Sequence, residues 1–449
     1  VNPNIFRQYD IRGVADDDLT DDVVMRIAKA FGSYLRRSGR RTLVIGQDVR
    51  LSSPRIANAV KKALLSTGCG VTDLGMVPTP VFYFSIHELR AEGGVMVTGS
   101  HLVERFNGLK LCKGIDSVYG NEIQRIREIA EAGKFLAGGG EERAHSVTDA
   151  YMAAVCKGNA VKRKLKVVVD PGNGTGGPTL DTVLTRLGCD VDCINCEPDG
   201  RFPAHQPDPT VPKYMTQLVD RVIQTRADIG IGVDGDADRI GVVDELGNIV
   251  WGDRLLALYA EELLSHVPGA EIIFEVKCSQ ALPERIKALG GKPKMWKTGH
   301  SLIKAKMKKD GALLAGEMSG HMFFGHKWYG FDDAIFASAR IVSILSRTES
   351  SMSSLLAKIP AYYSTPETRI ESTDRGKFQV VEKVKSYFSK KYRTIKIDGV
   401  RVEYGDGWGL VRASNTEPII VVRFEAKTGQ RLEEIKTEIL SKVKQYNRT

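Results

Sequence analysis

The sequence predicts an α/β protein with three related, mixed-sheet α/β domains and a smaller C-terminal α+β domain. Three observations carry this. Short apolar runs alternate with amphipathic helical stretches as far as residue 364. Each apolar run ends in a polar, glycine-containing loop. Beyond "STPETRIESTDRG", Ser364–Gly376, the strands are short and joined by tight glycine turns. Alternating strand and helix gives βαβ units with mainly parallel pairing. Domains are expected over 1–150, 151–250, 251–364 and 365–449.

In the first unit, "RTLVIGQD" (Arg41–Asp48) reads as a buried strand. "SSPRIANAVKKALLSTG" follows as a helix ending at Gly68, and "GGVMVTGS" is a strand running into a loop. The second unit opens with "KLKVVVDPGNGTGG" and a helix over Pro178–Leu187. "ADIGIGVDGDADRIGVVDELG" (Ala227–Gly247) reads as strand, loop and hairpin. The third holds "AEIIFEVKCSQALPERIKALG" and "GALLAGEMSGH". In such sheets ligands gather beyond the carboxyl ends of the strands, where these polar loops fall.

Composition narrows the function. The 449 residues are 42% hydrophobic and 27% charged, as in soluble globular chains. No apolar run is long enough to span a membrane and the N-terminal stretch lacks an apolar signal core, so a cytoplasmic protein is expected. The net charge of +9 favours anionic partners. The densest basic patches, "VKRKLK" and "KAKMKKD", carry no interleaved aromatics, which argues against nucleic acid and for a small anionic substrate. Seven scattered cysteines do not read as a disulfide framework. Cys189, Cys193 and Cys196 with His205 lack the paired spacing of structural zinc and read as incidental thiols.

The strongest chemical signal is "DGDADR". It sets Asp234, Asp236 and Asp238 at alternate positions after an apolar strand. Three such carboxylates repel unless a cation joins them, and an all-oxygen set selects a hard ion such as Mg²⁺. Position six of this run is Arg239 rather than glycine, so it is not an EF-hand. Magnesium commonly serves phosphate chemistry. Ser100, between Gly99 and His101 after a strand, could then carry a phosphoryl group held by Arg239. "GLVRASNTEPI" supplies Arg412, Ser414, Asn415 and Thr416 as a second anion cradle. Glu317 and Ser319 of "GEMSGH" stand at i and i+2 and would face sugar hydroxyls together from an extended loop. His300 begins a helix beside a glycine. "GNGTGG" (Gly172–Gly177) matches a dinucleotide fingerprint, but it does not open the chain and no hydride-transfer site accompanies it. A tight strand-to-helix turn accounts for it.

Together "FRQYDIRG", "TGSH", "DGDADR", "GEMSGH", "WYGFDD" and "RASNTEP" resemble the α-D-phosphohexomutase family, in its phosphomannomutase/phosphoglucomutase branch. They lie in the family's order across nearly the whole chain. The resemblance implies four domains around a central cleft and an isomerase that interconverts hexose 6-phosphate and hexose 1-phosphate. The route would run through phosphorylated Ser100 and a hexose 1,6-bisphosphate, which also serves as activator. It implies Mg²⁺ on Asp234, Asp236, Asp238 and a phosphoserine oxygen. Arg12 and Arg239 would stabilise the transferring group, with His101 and Lys110 for acid–base work. Tyr9, Lys277, His300, Glu317 and Ser319 would bind the sugar. Arg412, Ser414, Asn415 and Thr416 would hold the other phosphate. Monomer and dimer both remain open.

Two departures stand out. Leu102 and Val103 follow "TGSH" where the family commonly has Asn-Pro, which predicts a less rigid loop and a lower rate. Gly325, His326 and Lys327 replace a more charged stretch. Asn415 argues against an amino-sugar substrate, the phosphoglucosamine alternative. A phosphohydrolase and a noncatalytic sugar-phosphate binder are the other classes.

Overall fold

The computed structural model describes residues 1–414 and 418–447. Four sheets follow one another along the chain. The first has seven strands, with Thr42–Gln47 parallel to both Gly70–Met76 and Gly93–Val97. The second has five and the third four, each built around three parallel strands. The fourth has six strands whose pairings are antiparallel, with Gly376–Phe388 and Gly429–Asn447 as its helices.

One device recurs in the first three sheets. A parallel strand ends in a polar loop, and the chain returns antiparallel beside it. Gly93–Val97 returns as Phe106–Lys113, Ile229–Val233 as Ile240–Asp244, and Leu314–Gly316 as Met322–Phe324. The three loops so made are "TGSHLVER", "DGDADR" and "EMSGH". The apolar strands before them are fully buried, so each loop is anchored at both ends in a packed sheet.

A single apolar cluster runs through the first three domains, from Phe82 and Phe84 through Val167 and Val169 to Leu258 and Phe336. The helix Ala334–Ser346 crosses from the third domain onto the second. Its start is capped by Asp333, which accepts from Phe336 N and from Tyr151 OH at 2.8 Å. The sequence expectation of incidental thiols needs one correction. Cys193, the last residue of the strand Asp190–Cys193, is joined to Cys196 as a disulfide. Among the described residues no helix is long and apolar enough to cross a membrane.

The fourth domain has its own core and docks on the third through two buried arginines. Arg401 stacks 3.7 Å from the centroid of Trp408 and donates to Val276 O at 2.9 Å and Cys278 O at 2.8 Å. Arg423 donates to Lys277 O. Removing one such cation leaves buried carbonyls unpaired. Arg401→Ala is therefore expected to lower stability by about 3 kcal/mol in urea unfolding and to undock the fourth domain first.

Candidate active site at the meeting of three loops

The three return loops converge. Ser100 Oγ donates to Asp234 Oδ2 at 2.7 Å and lies 3.0 Å from His101 Nδ1. A hydroxyl has one proton, so with that proton on Asp234 the imidazole N–H donates to Oγ. Asp236 accepts from Thr79 Oγ1 at 2.6 Å and Thr98 Oγ1 at 3.1 Å, both from the first domain. Lys110 Nζ donates to Asp236 Oδ2 at 2.7 Å and to Asp238 Oδ2. Arg239 Nε donates to His321 Nε2 at 2.9 Å, which brings in the third domain.

Asp234, Asp236 and Asp238 are each at most 1% exposed, so their charges act at short range in a poorly solvated site. Burial, with Asp238 and Asp236 beside it, pushes Asp234 well above the usual carboxylate range. Burial also opposes ionisation of Asp236, but Lys110 outweighs it and pulls that carboxyl down. Lys110 in turn is desolvated, yet Asp236 and Asp238 hold it protonated. His101 is pushed well down by burial and by Arg239 and Arg12, so it stays neutral.

The triad fits a divalent cation. One oxygen from each carboxylate lies within 4.8 Å of the others. Oδ1 of Asp236 and Oδ1 of Asp238 are buried without a hydrogen-bond partner. An oxygen-only donor set of this charge suits a hard ion.

Backbone packing fixes the triad against the serine. A Cβ on Gly235 would meet Ser100 O at 2.5 Å, and one on Gly174 would meet Gly235 O at 3.0 Å. Thr175 N donates to Gly235 O at 2.9 Å. The glycine turn that mimics a dinucleotide fingerprint therefore buttresses the acidic loop. Ser100 and Ala237 both adopt positive φ, 48° and 59°, which non-glycine residues hold only under constraint. Across the domain seam, Gln206 Nε2 donates to His101 O at 2.6 Å.

The remaining candidates form a second group. Arg12 Nε donates to Asp10 Oδ2 at 2.7 Å. Tyr9 OH donates to Thr298 O at 2.7 Å and its ring stands edge-on to His300. Lys277 is buried and pairs with Glu367 of the fourth domain at 3.1 Å. Arg412 Nε donates to Asp398 Oδ2 at 3.1 Å, and the same oxygen accepts from Thr298 N at 3.1 Å. Ser414 is buried beside Arg412, while Asn415 and Thr416 lie outside the described residues. The expectation that Glu317 and Ser319 face one way from an extended loop is corrected. Gly320 N donates to Glu317 O at 3.0 Å, so the segment is a tight turn. Glu317 is buried there, its Oε1 accepting from Gly299 N.

His321 closes the "GEMSGH" run, and the sequence assigns it no role. It faces Asp332 at 3.2 Å and Asp238 at 3.5 Å. Burial works against ionisation of Asp332, but Lys304, His300 and His321 hold it well below the usual range. Only its place in "GEMSGH" could have flagged His321. Asp332 lay in "WYGFDD", with no spacing to connect the two. A separate cavity of about 310 Å³, lined by Tyr83, His87, Lys308, Trp328 and Phe331, involves none of the proposed site residues.

Four family models match in chain order. Phosphoglucomutase/phosphomannomutase alpha/beta/alpha domains I, II and III match residues 3–137, 149–247 and 251–363, and the C-terminal domain matches 367–442. The chain belongs to the phosphoglucomutase/phosphomannomutase family. It is 44% identical to a phosphomannomutase/phosphoglucomutase of Pseudomonas putida over 434 residues, covering 96% of this chain and 94% of that one. It is 41% identical to a phosphoglucomutase of Neisseria meningitidis, covering 97% and 95%. A crystal structure of a phosphoglucomutase/phosphomannomutase family protein from Burkholderia thailandensis superposes with a TM-score of 0.94 at 40% identity, covering 99% and 98%. Four-domain architecture with three alpha/beta/alpha units and a separate C-terminal domain is thus a family property.

Two outcomes follow from the site. Lys277 pulls Glu367 down to about 2, outweighing burial. Its folded value lies below the ordinary carboxyl value of 4.5, so the pair stabilises fully above that pH and fades as pH falls toward 2. Allowing for partial exposure, Glu367→Gln is expected to cost about 2 kcal/mol at pH 7 and to flatten stability between pH 4.5 and 2 in urea titrations. The second concerns the loop after His101. Leu102 O and Val103 O both accept from the buried Arg50, so the backbone supplies stiffness that the side chains at 102 and 103 do not. Against the lower rate expected from sequence, Leu102→Asn with Val103→Pro should leave turnover within about twofold of wild type in a steady-state assay.

Proposed function

We propose that this family member interconverts hexose 6-phosphates and hexose 1-phosphates, of mannose, glucose or both, through phosphorylated Ser100. The observation that carries this reading is the meeting of Ser100 Oγ, a buried three-carboxylate site and Arg239 within one cluster. We assign Mg²⁺ to Asp234, Asp236, Asp238 and a phosphoserine oxygen, where it would neutralise phosphoryl charge.

The chain's own residues then divide the work. In the first transfer the Ser100 Oγ–P bond breaks and a bond forms from phosphorus to the free hydroxyl of a bound hexose monophosphate. His101, kept neutral, is suited to take the hydroxyl proton. Lys110, kept cationic by its carboxylates, acts as fixed positive charge rather than as a base. Arg12 and Arg239 stabilise charge on the transferring group. The product of this step is a hexose 1,6-bisphosphate, which turns over and returns its other phosphoryl group to Ser100. The same bisphosphate, supplied in trace, would rephosphorylate an enzyme that has lost its group.

Lys277, His300, Ser319 and Oε2 of Glu317 are assigned to the sugar, with Tyr9 closing that side of the cleft. Arg412, Ser414, Asn415 and Thr416 are assigned to the phosphate that is not reacting. Arg412 lies near enough to Lys277 for their charges to interact. A distal cradle of this kind must accept either phosphate in turn, since the intermediate presents both. The names of the Pseudomonas and Neisseria relatives support hexoses that differ at C2, and a grip on C3 and C4 hydroxyls would admit both.

A coupled assay on mannose 1-phosphate and glucose 1-phosphate, with Mg²⁺ and a trace of glucose 1,6-bisphosphate, tests the reading. Isomerisation is expected, falling by at least about 1000-fold in Ser100→Ala and lost on chelation until Mg²⁺ is restored. Steady phosphate release without isomerisation would make the protein a hydrolase. Binding without turnover, in folded protein, would make it a sugar-phosphate binder.

A further inference from the structure

Arg50 is a cation sealed inside the first domain, 0% exposed. Its Nη1 donates to Val103 O at 2.8 Å and Phe106 O at 2.9 Å. Its Nη2 donates to Ser100 O at 2.7 Å and to Leu102 O. These four carbonyls span the return loop from the serine to the first residue of the strand Phe106–Lys113. The loop is wrapped around one planar fork, with its carbonyls turned inward. Asp48 Oδ2 lies 3.2 Å from Arg50 Nε and also accepts from Gly99 N at 2.9 Å, so the same ion pair grips the residue before the serine. The ring of Phe202, from the second domain, covers the guanidinium at 5.1 Å.

This arrangement answers a need. Ser100 sits at φ 48°, a conformation costing on the order of 1 kcal/mol or more that a free loop would leave. Direct loop-to-loop backbone bonds are few here: Leu102 N donates to Gly99 O and Phe106 N to Val103 O, each at 3.0 Å. A guanidinium presents five donors in a fixed plane and stays charged when buried, whereas an ammonium presents its donors at one point. Four acceptors spread along seven residues need the fork.

Resting on the mutase reading, we propose that Arg50 is the positioning residue of the transfer step. It sets the left-handed turn at Ser100 and so aims Oγ, without touching substrate. Because Lys277, His300, Glu317, Ser319 and the distal-phosphate loop lie in other domains, and Tyr9 bonds to Thr298 rather than to the return loop, its loss should affect transfer and spare binding.

The test begins with wild-type turnover, whose absence would refute the mutase reading alone. Arg50→Lys keeps the charge and loses the fork. It is expected to lower kcat by about 100-fold, the usual effect of an ångström-scale misplacement, with KM for mannose 1-phosphate and glucose 1-phosphate changed less than about threefold. Gly99→Ala keeps Arg50 but places a Cβ 2.4 Å from its Nε and 2.5 Å from its Cζ, so it should displace the guanidinium and give the same split. Arg50→Ala should recover turnover partly with millimolar guanidinium and not with ammonium. Independently of turnover, trypsin should cut after the exposed Arg105 at least about tenfold faster in Arg50→Lys than in wild type. A folded Arg50→Lys with wild-type kcat, or with KM raised and kcat kept, overturns the proposal. So does an unchanged trypsin rate, which decides the matter even if the wild type isomerises neither sugar.

Discussion

Three carboxylates buried within reach of one another cannot all be charged unless positive groups are brought to them. Asp234, Asp236 and Asp238 impose that condition, and much of the architecture meets it. Lys110 comes from the return strand of the first domain, and the hydroxyls of Thr79 and Thr98 from the ends of its helix and strand. Arg239 is supplied by the acidic loop itself and is bonded to His321 of the third domain. The three α/β domains are locked together where their charges must be balanced, and the apolar cluster beneath them is continuous.

The recurring strand, loop and antiparallel return explains how this balance is made stiff. Anchoring both ends of a short loop in buried strands limits its conformations, so that strained residues can persist at its apex. Ser100 and Ala237 are such residues: Ser100 O packs against Gly235 of the acidic loop, and Ala237 packs against Gly176 of the glycine turn. Strain at Ser100 is held from beneath by Arg50 and from the side by Gln206, so the serine is approached from two domains. Chemistry by phosphoryl transfer relies on positioning more than on any reactive group, and this is a site built for positioning.

Around the rim, polar links join the domains, beside a small apolar cluster of Val276, Met295, Ile397, Trp408 and Leu410 between the third and fourth. Tyr9 donates to Thr298 O, Thr298 N donates to Asp398, and Asp398 accepts from Arg412. The first, third and fourth domains are thereby connected through groups assigned to the ligand or next to them. Polar links of this kind are weaker than a packed core and can exchange partners with water or with a ligand.

The sequence alone determined the α/β alternation, the different character of the C-terminal domain, and the polar loops that end the buried strands. These are local properties: buried strands are apolar runs, and carboxylates, serine and glycines at a strand's end are adjacent in the chain. The strand-to-helix turn read in "GNGTGG" is equally local, lying between Lys166–Asp170 and Gly177–Arg186. What the sequence misjudged was geometry set at a distance. The Glu317–Ser319 turn is closed by Gly320, and Leu102 O and Val103 O are bound by a guanidinium 52 and 53 residues earlier in the chain. His321, Gln206 and Arg50 acquire their roles through partners 82, 105 and 50 residues distant, and Asp332 through His321, Lys304 and His300, 11 to 32 residues before it. Tertiary structure decided those roles because hydrogen bonds and buried charges act through space, and no spacing along one chain records which carbonyls will surround a buried cation.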